Sequence, residues 1–91
     1  STDVVIDMSS NDLNFFLMGG SVYYVDAENS KVVVKSGDSK IITGTNSSTS
    51  VYIYDTESKK IVQGGLEDIE KDKNVFVRMR YYMASEIIVY R

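Results

Sequence analysis

Short segments rich in β-branched and aromatic residues recur about every ten residues along this chain, and this spacing restricts the fold more than any other feature. A cluster of serine, glycine, aspartate or asparagine follows most of them, which is typical of strands joined by turns. The sequence predicts roughly seven or eight short strands, at residues 3–8, 21–26, 31–35, 40–43, 51–54, 60–63, 75–82 and 86–90. Residues 13–18 suit a strand or one helical turn, and Gly19 and Gly20 are expected to end that segment.

The last third of the chain, residues 66–90, predicts how such strands close into a fold. Leu66 and Ile69 are three residues apart, so a single helical turn places them on one face. From residue 75 the pattern has a period of two. It predicts a core face of Val75, Val77, Met79 and Tyr81 and an outer face of Phe76, Arg78, Arg80 and Tyr82. Residues 83–85 are predicted to connect this strand to the final one, residues 86–90, in which Ile87 and Val89 should face opposite to Ile88 and Tyr90.

A lone helical turn among late strands favours an all-β fold, a small barrel of the oligonucleotide/oligosaccharide-binding (OB) type. The alternative is an immunoglobulin-like sandwich, although the tryptophan and cysteine pair common in that fold are missing.

Alternation also predicts which side chains share a face in the strand at residues 21–26. Val22 and Tyr24 should face one way, with Tyr23 and Val25 facing the other.

Composition bounds the domain count and removes several function classes. The 91 residues predict one domain spanning 1–91. There is no cysteine and no histidine, which removes disulfides, thiolate chemistry, the usual general base and the commonest zinc ligand. The sequence therefore predicts a protein that is not an enzyme and needs no cofactor or metal. A small hydrolase using paired carboxylates is the enzymatic alternative, and it would require a cleft that clusters them.

Charge and hydropathy bear on partners. The net charge of −3 lacks the basic excess of a nucleic-acid-binding protein, so nucleic acid is an unlikely partner. No apolar run is long enough to cross a bilayer as a helix, and no signal peptide opens the chain. The sequence can still be an excised domain of an exported protein.

The order of signals from Gly20 onward resembles a family of small bacterial domains with an OB-like barrel, whose biochemical role is unassigned. The matching positions cover roughly 70 residues of generic strand and turn signals. They are Gly20, Ser21, Val22, Val25, Asp26, residues 51–55, Leu66, Asp68, Ile69, Val75, Val77, Ala84, Glu86, Ile87 and Val89. One position departs from the pattern, because Asp72-Lys73 stands where the family has Gly-Asp, so the corner there is expected to be built differently.

The resemblance implies an origin in secreted or cell-surface bacterial proteins, including clostridial ones, and an extracellular location. The absence of cysteine agrees with this expectation, because exported domains of Gram-positive bacteria often lack disulfides. The expected function is a non-catalytic interaction or structural module of an exported protein that contacts protein or cell-wall glycan. The alternative is an OB-type domain that binds single-stranded nucleic acid.

The candidate binding residues are aromatic and cationic side chains on predicted strand faces. They are Arg78, Arg80, Tyr82, Tyr52 and Tyr54. Such residues can stack on a glycan ring or a base. Strand propensity alone also explains them, because tyrosine favours sheets and long cations shield exposed faces. The acidic turns near Asp26, Asp55 and Glu67 could supply oxygen ligands to calcium, but none has the spacing of a dedicated loop, and solvated turns are the simpler interpretation.

Overall fold

The computed structural model describes residues 15–91 and is built of seven strands and one short 3-10 turn. The strands are β1 (Phe15–Asp26), β2 (Lys31–Ser36), β3 (Ser39–Gly44), β4 (Ser50–Asp55), β5 (Lys60–Gln63), β6 (Asn74–Arg80) and β7 (Met83–Tyr90), and the 3-10 turn is Leu66–Asp68. The all-β class and the single turn of helix between late strands are confirmed. The predicted strand at residues 3–8 lies outside the described residues.

The strands form one mixed sheet in the order β3-β2-β1-β6-β7-β4-β5. One end of the sheet curls back to form a partial ring, because Gly44 of the end strand β3 pairs in parallel with Met83 of the interior strand β7. A second parallel pairing joins β4 to β7, from Ser50↔Glu86 to Tyr54↔Tyr90. The described strands thus make one hydrogen-bonded sheet with a partial ring, whereas an immunoglobulin-like sandwich consists of two packed sheets.

A single apolar core lies inside the curve of this sheet. Its buried side chains come from every strand but β5 and from the segment after the 3-10 turn. They are Met18, Val22, Val32, Val34, Thr43, Val51, Ile53, Ile69, Val75, Val77, Met79, Ala84, Ile87 and Val89. The alternation predicted for β6 up to Met79 and for the end of β7 is confirmed, because those inward positions are buried and the residues between them are not.

A β-bulge in β1 overturns the predicted alternation of residues 22–25. Val22 pairs with Val34, but the next partner pairs are Tyr24↔Val33 and Val25↔Val32, so Tyr23 is the extra residue. The bulge turns Val22 and Val25 towards the core and leaves Tyr23 and Tyr24 both exposed. A strict period of two would have buried one tyrosine with Val22.

The glycine pair does not end a segment, contrary to the prediction. β1 continues through Gly19 and Gly20, pairing with β6 from Phe15 to Ser21 and with β2 from Ser21 to Asp26. Gly20 is needed because a β-carbon built there would overlap the carbonyl oxygen of Lys35 in β2. Gly20 therefore lets β1 pass close to β2 at the position where β1 changes its partner strand.

The corner between β6 and β7 also differs from the prediction. Tyr81 was expected in the core, but it lies in the turn with φ of 58° and is 67% exposed. Tyr82 follows it in the same turn, so β6 ends at Arg80. Residues 83–85 are the first part of β7 and not a connection. At the earlier corner, where the resemblance calls for glycine, Asp72 adopts a left-handed φ of 74°.

Two hairpin turns are held by aspartate side chains. Asp26 accepts hydrogen bonds from the Asn29 side chain (2.9 Å) and backbone N–H (3.2 Å). Asp55 accepts from the backbone N–H groups of Ser58 (3.1 Å) and Glu57 (2.9 Å). These bonds lower the pKa of each carboxyl below its ordinary value, and the Asn29 side-chain bond is the largest cause for Asp26. Both acidic turns thus use their carboxylates as caps.

The lowered pKa values predict a loss of stability in acid. A carboxyl with a depressed folded-state pKa stabilises the fold above its unfolded-state pKa, near 3.8, and this contribution is lost as the pH falls through the folded-state value. We expect the wild-type midpoint in urea to fall between pH 5 and pH 3 more than that of the double variant Asp26→Asn, Asp55→Asn, in which neither site titrates. Equal acid slopes for the two proteins would contradict the role assigned to these turns.

Candidate functional site

The five predicted binding residues do not form one patch. Tyr52 and Tyr54 lie on the outer side of β4, half-buried. Arg78 and Arg80 lie on the outer side of β6 and are exposed, and Tyr82 is in the β6–β7 turn with 81% of its surface exposed. The structure joins the two tyrosines to each other and separates them from Arg80 and Tyr82.

Tyr52 and Tyr54 belong to a surface that we call the β4–β7 aromatic face. Cross-strand pairing aligns Phe76, Ile88 and Tyr52 in one row and Tyr90 with Tyr54 in the next. The rings of Tyr54 and Tyr90 meet edge to face, with centroids 5.9 Å apart and planes at 83°. These side chains are all half-buried because they cover one another. In the next cross-strand row, towards the β6–β7 turn, Arg78 of β6 pairs with Glu86 of β7, so the arginine has an acidic neighbour.

Arg80 and Tyr82 lie at the other end of the sheet. Tyr54 pairs with Tyr90 at the end of β7, one residue beyond the Val89 that pairs with Val75 of β6. Arg80, at the opposite end of β6, pairs with Met83 at the start of β7. Six strand residues separate these two levels, or about 20 Å at roughly 3.3 Å per residue. A small ligand on the tyrosines of β4 therefore does not reach Arg80.

A second surface, the β1–β3 tyrosine face, contains none of the five predicted binding residues. It lies on the outer side of the first three strands and consists of Tyr23, Tyr24, Val33, Lys35, Lys40 and Ile42. Tyr24, Val33 and Ile42 form one cross-strand row, and Tyr24 and Ile42 are 55% and 57% exposed. The signal in the sequence is that Val22 and Val25 are three residues apart, because within a strand a bulge is needed to turn both towards the core.

Two lysines give this face a local positive charge. Lys35 and Lys40 are direct cross-strand partners on β2 and β3, and both are exposed. Like charges directly opposite each other destabilise a sheet. Lys40 Nζ lies 4.1 Å from the centre of the Tyr23 ring, a cation–π contact that holds the ammonium beside the tyrosines. The face therefore combines flat exposed rings with paired cations, although the whole chain carries −3.

The third feature is a concavity of about 750 Å³ at the end of the sheet, which we call the rim groove. It is bounded by the start of β1, the β3 strand and the β6–β7 turn. Its lining comprises Phe16, Lys31, Lys40, Ile41, Ile42, Gly44, Met79, Tyr81, Tyr82 and Met83. Tyr82 thus belongs to an apolar groove instead of an outer strand face.

Residues 15–91 contain neither a cluster of metal ligands nor a helix that could cross a membrane. No group of three or more acidic side chains in that part of the chain is close enough to hold a metal ion. No helix among the described residues has the length and apolar character needed to cross a membrane. The chemistry available at the three surfaces is stacking, burial of apolar groups and attraction of anions.

Comparison with known proteins gives no relative: no protein-family profile, no curated protein and no solved structure matches this chain. The described residues form a small all-β domain with a partly closed seven-stranded sheet, one half-buried aromatic face and one exposed tyrosine face.

Proposed function

We propose that the domain is an OB-like barrel that acts as a non-catalytic binding module. Setting the β4–β5 hairpin aside leaves the ring order β1-β2-β3-β7-β6, with β1 pairing with both β2 and β6. Five strands in a partly open Greek-key ring, with a turn of helix before the fourth, support the OB assignment. The β4–β5 hairpin would then be an insertion that extends the sheet along β7.

The observation that carries the binding proposal is the bulge-driven exposure of Tyr23 and Tyr24 next to Lys40. A β-bulge interrupts the regular hydrogen bonds between two strands, and this one exposes the adjacent rings of Tyr23 and Tyr24 to solvent. OB folds bind their ligands on the face of their second and third strands, which correspond to β2 and β3 here. Tyr24 shares a row with residues of both of these strands.

The chemistry of this face favours a glycan that carries acidic groups. Sugar rings stack on exposed tyrosines, and an acidic group would relieve the repulsion between Lys35 and Lys40. Such polymers occur in bacterial cell walls, and we propose that the domain belongs to an exported bacterial protein and works at the cell surface. The family resemblance and the cysteine-free composition support this location.

The prediction is that Tyr24→Ala weakens binding to acidic cell-wall glycan fragments about fivefold or more, since one lost ring contact is worth about 1 kcal/mol. The change is safe for the fold because Tyr24 is 55% exposed. The measurement is a titration of the full 15N-labelled chain followed by NMR, which also shows which amides shift. An uncharged glycan of equal length tests the need for acidic groups.

Tyr52→Ala is the matched control, because it removes the same side chain from the β4–β7 aromatic face. We expect it to leave the dissociation constant unchanged. Loss of binding in Tyr52→Ala, with shifts at Tyr52 and Tyr54, would transfer the site to that face. No binding of glycan by the wild-type chain would contradict the glycan proposal and leave the structural spacer and the nucleic-acid candidate.

The second candidate function is an OB-type domain for single-stranded nucleic acid, and the observation in its favour is the cation–π contact between Lys40 and Tyr23. It predicts oligonucleotide binding that weakens steeply as salt is raised, because phosphate contacts release counterions. The net charge of −3 opposes it. Absence of oligonucleotide binding at low salt would remove this candidate.

A further inference from the structure

A shallow groove on the outer side of the sheet lies between the β1–β3 tyrosine face and the β4–β7 aromatic face. Its volume is about 560 Å³, and we call it the glycine groove. Ser21 lies in its middle, because this residue pairs with Lys35 of β2 and with Asn74 of β6. The residues of the groove that bear on binding are Gly19, Ser21, Lys35, Asn74, Phe76 and Tyr90.

The two glycines of β1 differ in whether the protein itself requires glycine. A β-carbon at Gly20 would overlap the backbone of Lys35. At Gly19 the nearest atom of the described chain would be Cδ1 of Phe76, at the ordinary distance of 3.8 Å, and the φ of Gly19 is not positive. Glycine inside a strand is destabilising relative to alanine, so its presence needs a reason. Since packing among the described residues gives none at Gly19, the close approach of a ligand is the remaining reason for a glycine in a strand.

The chemistry around Gly19 suits a sugar that carries an acidic group. Phe76 and Tyr90 are half-buried, so part of each ring is accessible for stacking. Lys35 and Asn74 are exposed, and they offer an ammonium group to a carboxylate and an amide to a hydroxyl. The Ser36 hydroxyl donates a hydrogen bond to the Gly19 carbonyl (2.8 Å), which holds this part of the backbone to the end of β2.

We propose that the glycine groove is a second subsite for an acidic glycan, a proposal that rests on the binding function assigned above to the β1–β3 tyrosine face. The two sites are continuous through the lysines. Lys35 pairs with Ser21 in the groove and with Lys40, whose Nζ lies over the Tyr23 ring. Tyr23 lies four residues along β1 from Gly19, or about 13 Å at roughly 3.3 Å per residue. A ligand that fills both subsites is therefore an extended polymer and not a single sugar.

The test compares two lengths of one probe, the peptide-free glycan of peptidoglycan, which carries carboxylate groups. The full 15N-labelled chain is titrated by NMR with fragments of two and of eight sugars. We expect the wild type to bind the long fragment about tenfold more tightly, with shifts at the amides of Gly19 and Asn74 that the short fragment does not cause.

Gly19→Val fills the groove from its floor and is expected to weaken binding of the long fragment about fivefold or more while leaving that of the short fragment unchanged. The fold should tolerate it, because the position is open and valine favours strands. Asn74→Ala, which removes a polar group and adds no bulk, should act in the same direction. Leu17→Val is the control, since Leu17 is an exposed residue of the same strand outside the groove.

The outcomes separate this proposal from the one on which it rests. If neither fragment binds to the wild type, the glycan function itself is contradicted. If the fragments bind and Gly19→Val and Asn74→Ala bind the long one as tightly as the wild type does, only the second subsite is overturned. A large loss of thermal stability in Gly19→Val would show that packing requires this glycine, and would also overturn the subsite.

Discussion

Gly20→Ala is expected to destabilise the domain by about 3 kcal/mol or more, at the upper end of what overpacking costs. A β-carbon at this position would overlap the carbonyl oxygen of Lys35 and lie 2.9 Å from its carbonyl carbon and 3.1 Å from Cγ1 of Val34. The nearest atoms belong to the backbone of β2, so no side-chain rotation relieves the clash. β1 and β2 would have to separate where β1 exchanges one partner strand for the other.

Gly19→Ala is the control for this prediction. A β-carbon there meets only Cδ1 of Phe76, at the ordinary distance of 3.8 Å. Replacing glycine by alanine in a strand also restricts the unfolded chain, so we expect a change within about 1 kcal/mol of zero. The measurement is urea unfolding of both variants with the wild type. Equal losses in the two variants would show that the contact with Lys35 does not limit the position.

Local patterns were enough to predict the strand class, the turns and most inward positions of the late strands. The period of two in β6 and at the end of β7 reflects side chains that alternate about one backbone, and this can be read without a partner strand. The turns at Asp26 and Asp55 are equally local, because each is held by bonds within three residues. Such features need no knowledge of register.

The features that local patterns missed depend on contacts between distant residues. Two consecutive glycines are typical of the end of a strand, but β1 continues through Gly19 and Gly20. The reason for glycine at position 20 is the close approach of the Lys35 backbone, which belongs to another strand. The bulge at Tyr23 is set by the register between β1 and β2. Tyr81 continues the period of two set by the inward residues Val75, Val77 and Met79, but the strand ends at Arg80. The alternation of side chains does not indicate where a strand ends.

The same reasoning applies to the candidate site. Tyr52 and Tyr54 are two residues apart, and they share one side of β4. Their neighbours Ile88 and Tyr90 belong to β7, more than thirty residues further along the chain. β4 and β7 pair in parallel, so no short turn connects them and no turn motif in the sequence indicates the pairing. By strand count Arg80 lies about 20 Å along the sheet from the Tyr54–Tyr90 pair, and this separation also follows from the pairing of distant strands. A binding face that spans strands is fixed by register, and register is the least local property of a sheet.

Ile87→Ala is expected to cost about 2–5 kcal/mol, the range for removing a large aliphatic side chain from a core. Ile87 is 1% exposed and sits in the cross-strand row between Val77 of β6 and Val51 of β4, both of which are buried. It therefore couples the partial ring to the β4–β5 extension. A domain of this size has a total stability of about 5–10 kcal/mol, so the variant should lose much of it and can be partly unfolded at 37 °C.

Ile61→Ala removes the same atoms from an exposed position, since Ile61 is 54% exposed on the edge strand β5. We expect its effect to stay within about 0.5 kcal/mol. Urea unfolding followed by circular dichroism gives both values. If Ile87→Ala unfolds in two steps, the sheet separates at β7 into a ring and a hairpin. If it unfolds in one step at a lower midpoint, the row through Ile87 belongs to a single cooperative core. We expect the single step. The side chains of Val51 and Val77, which pair with residue 87 from either side of β7, belong to one continuous core cluster.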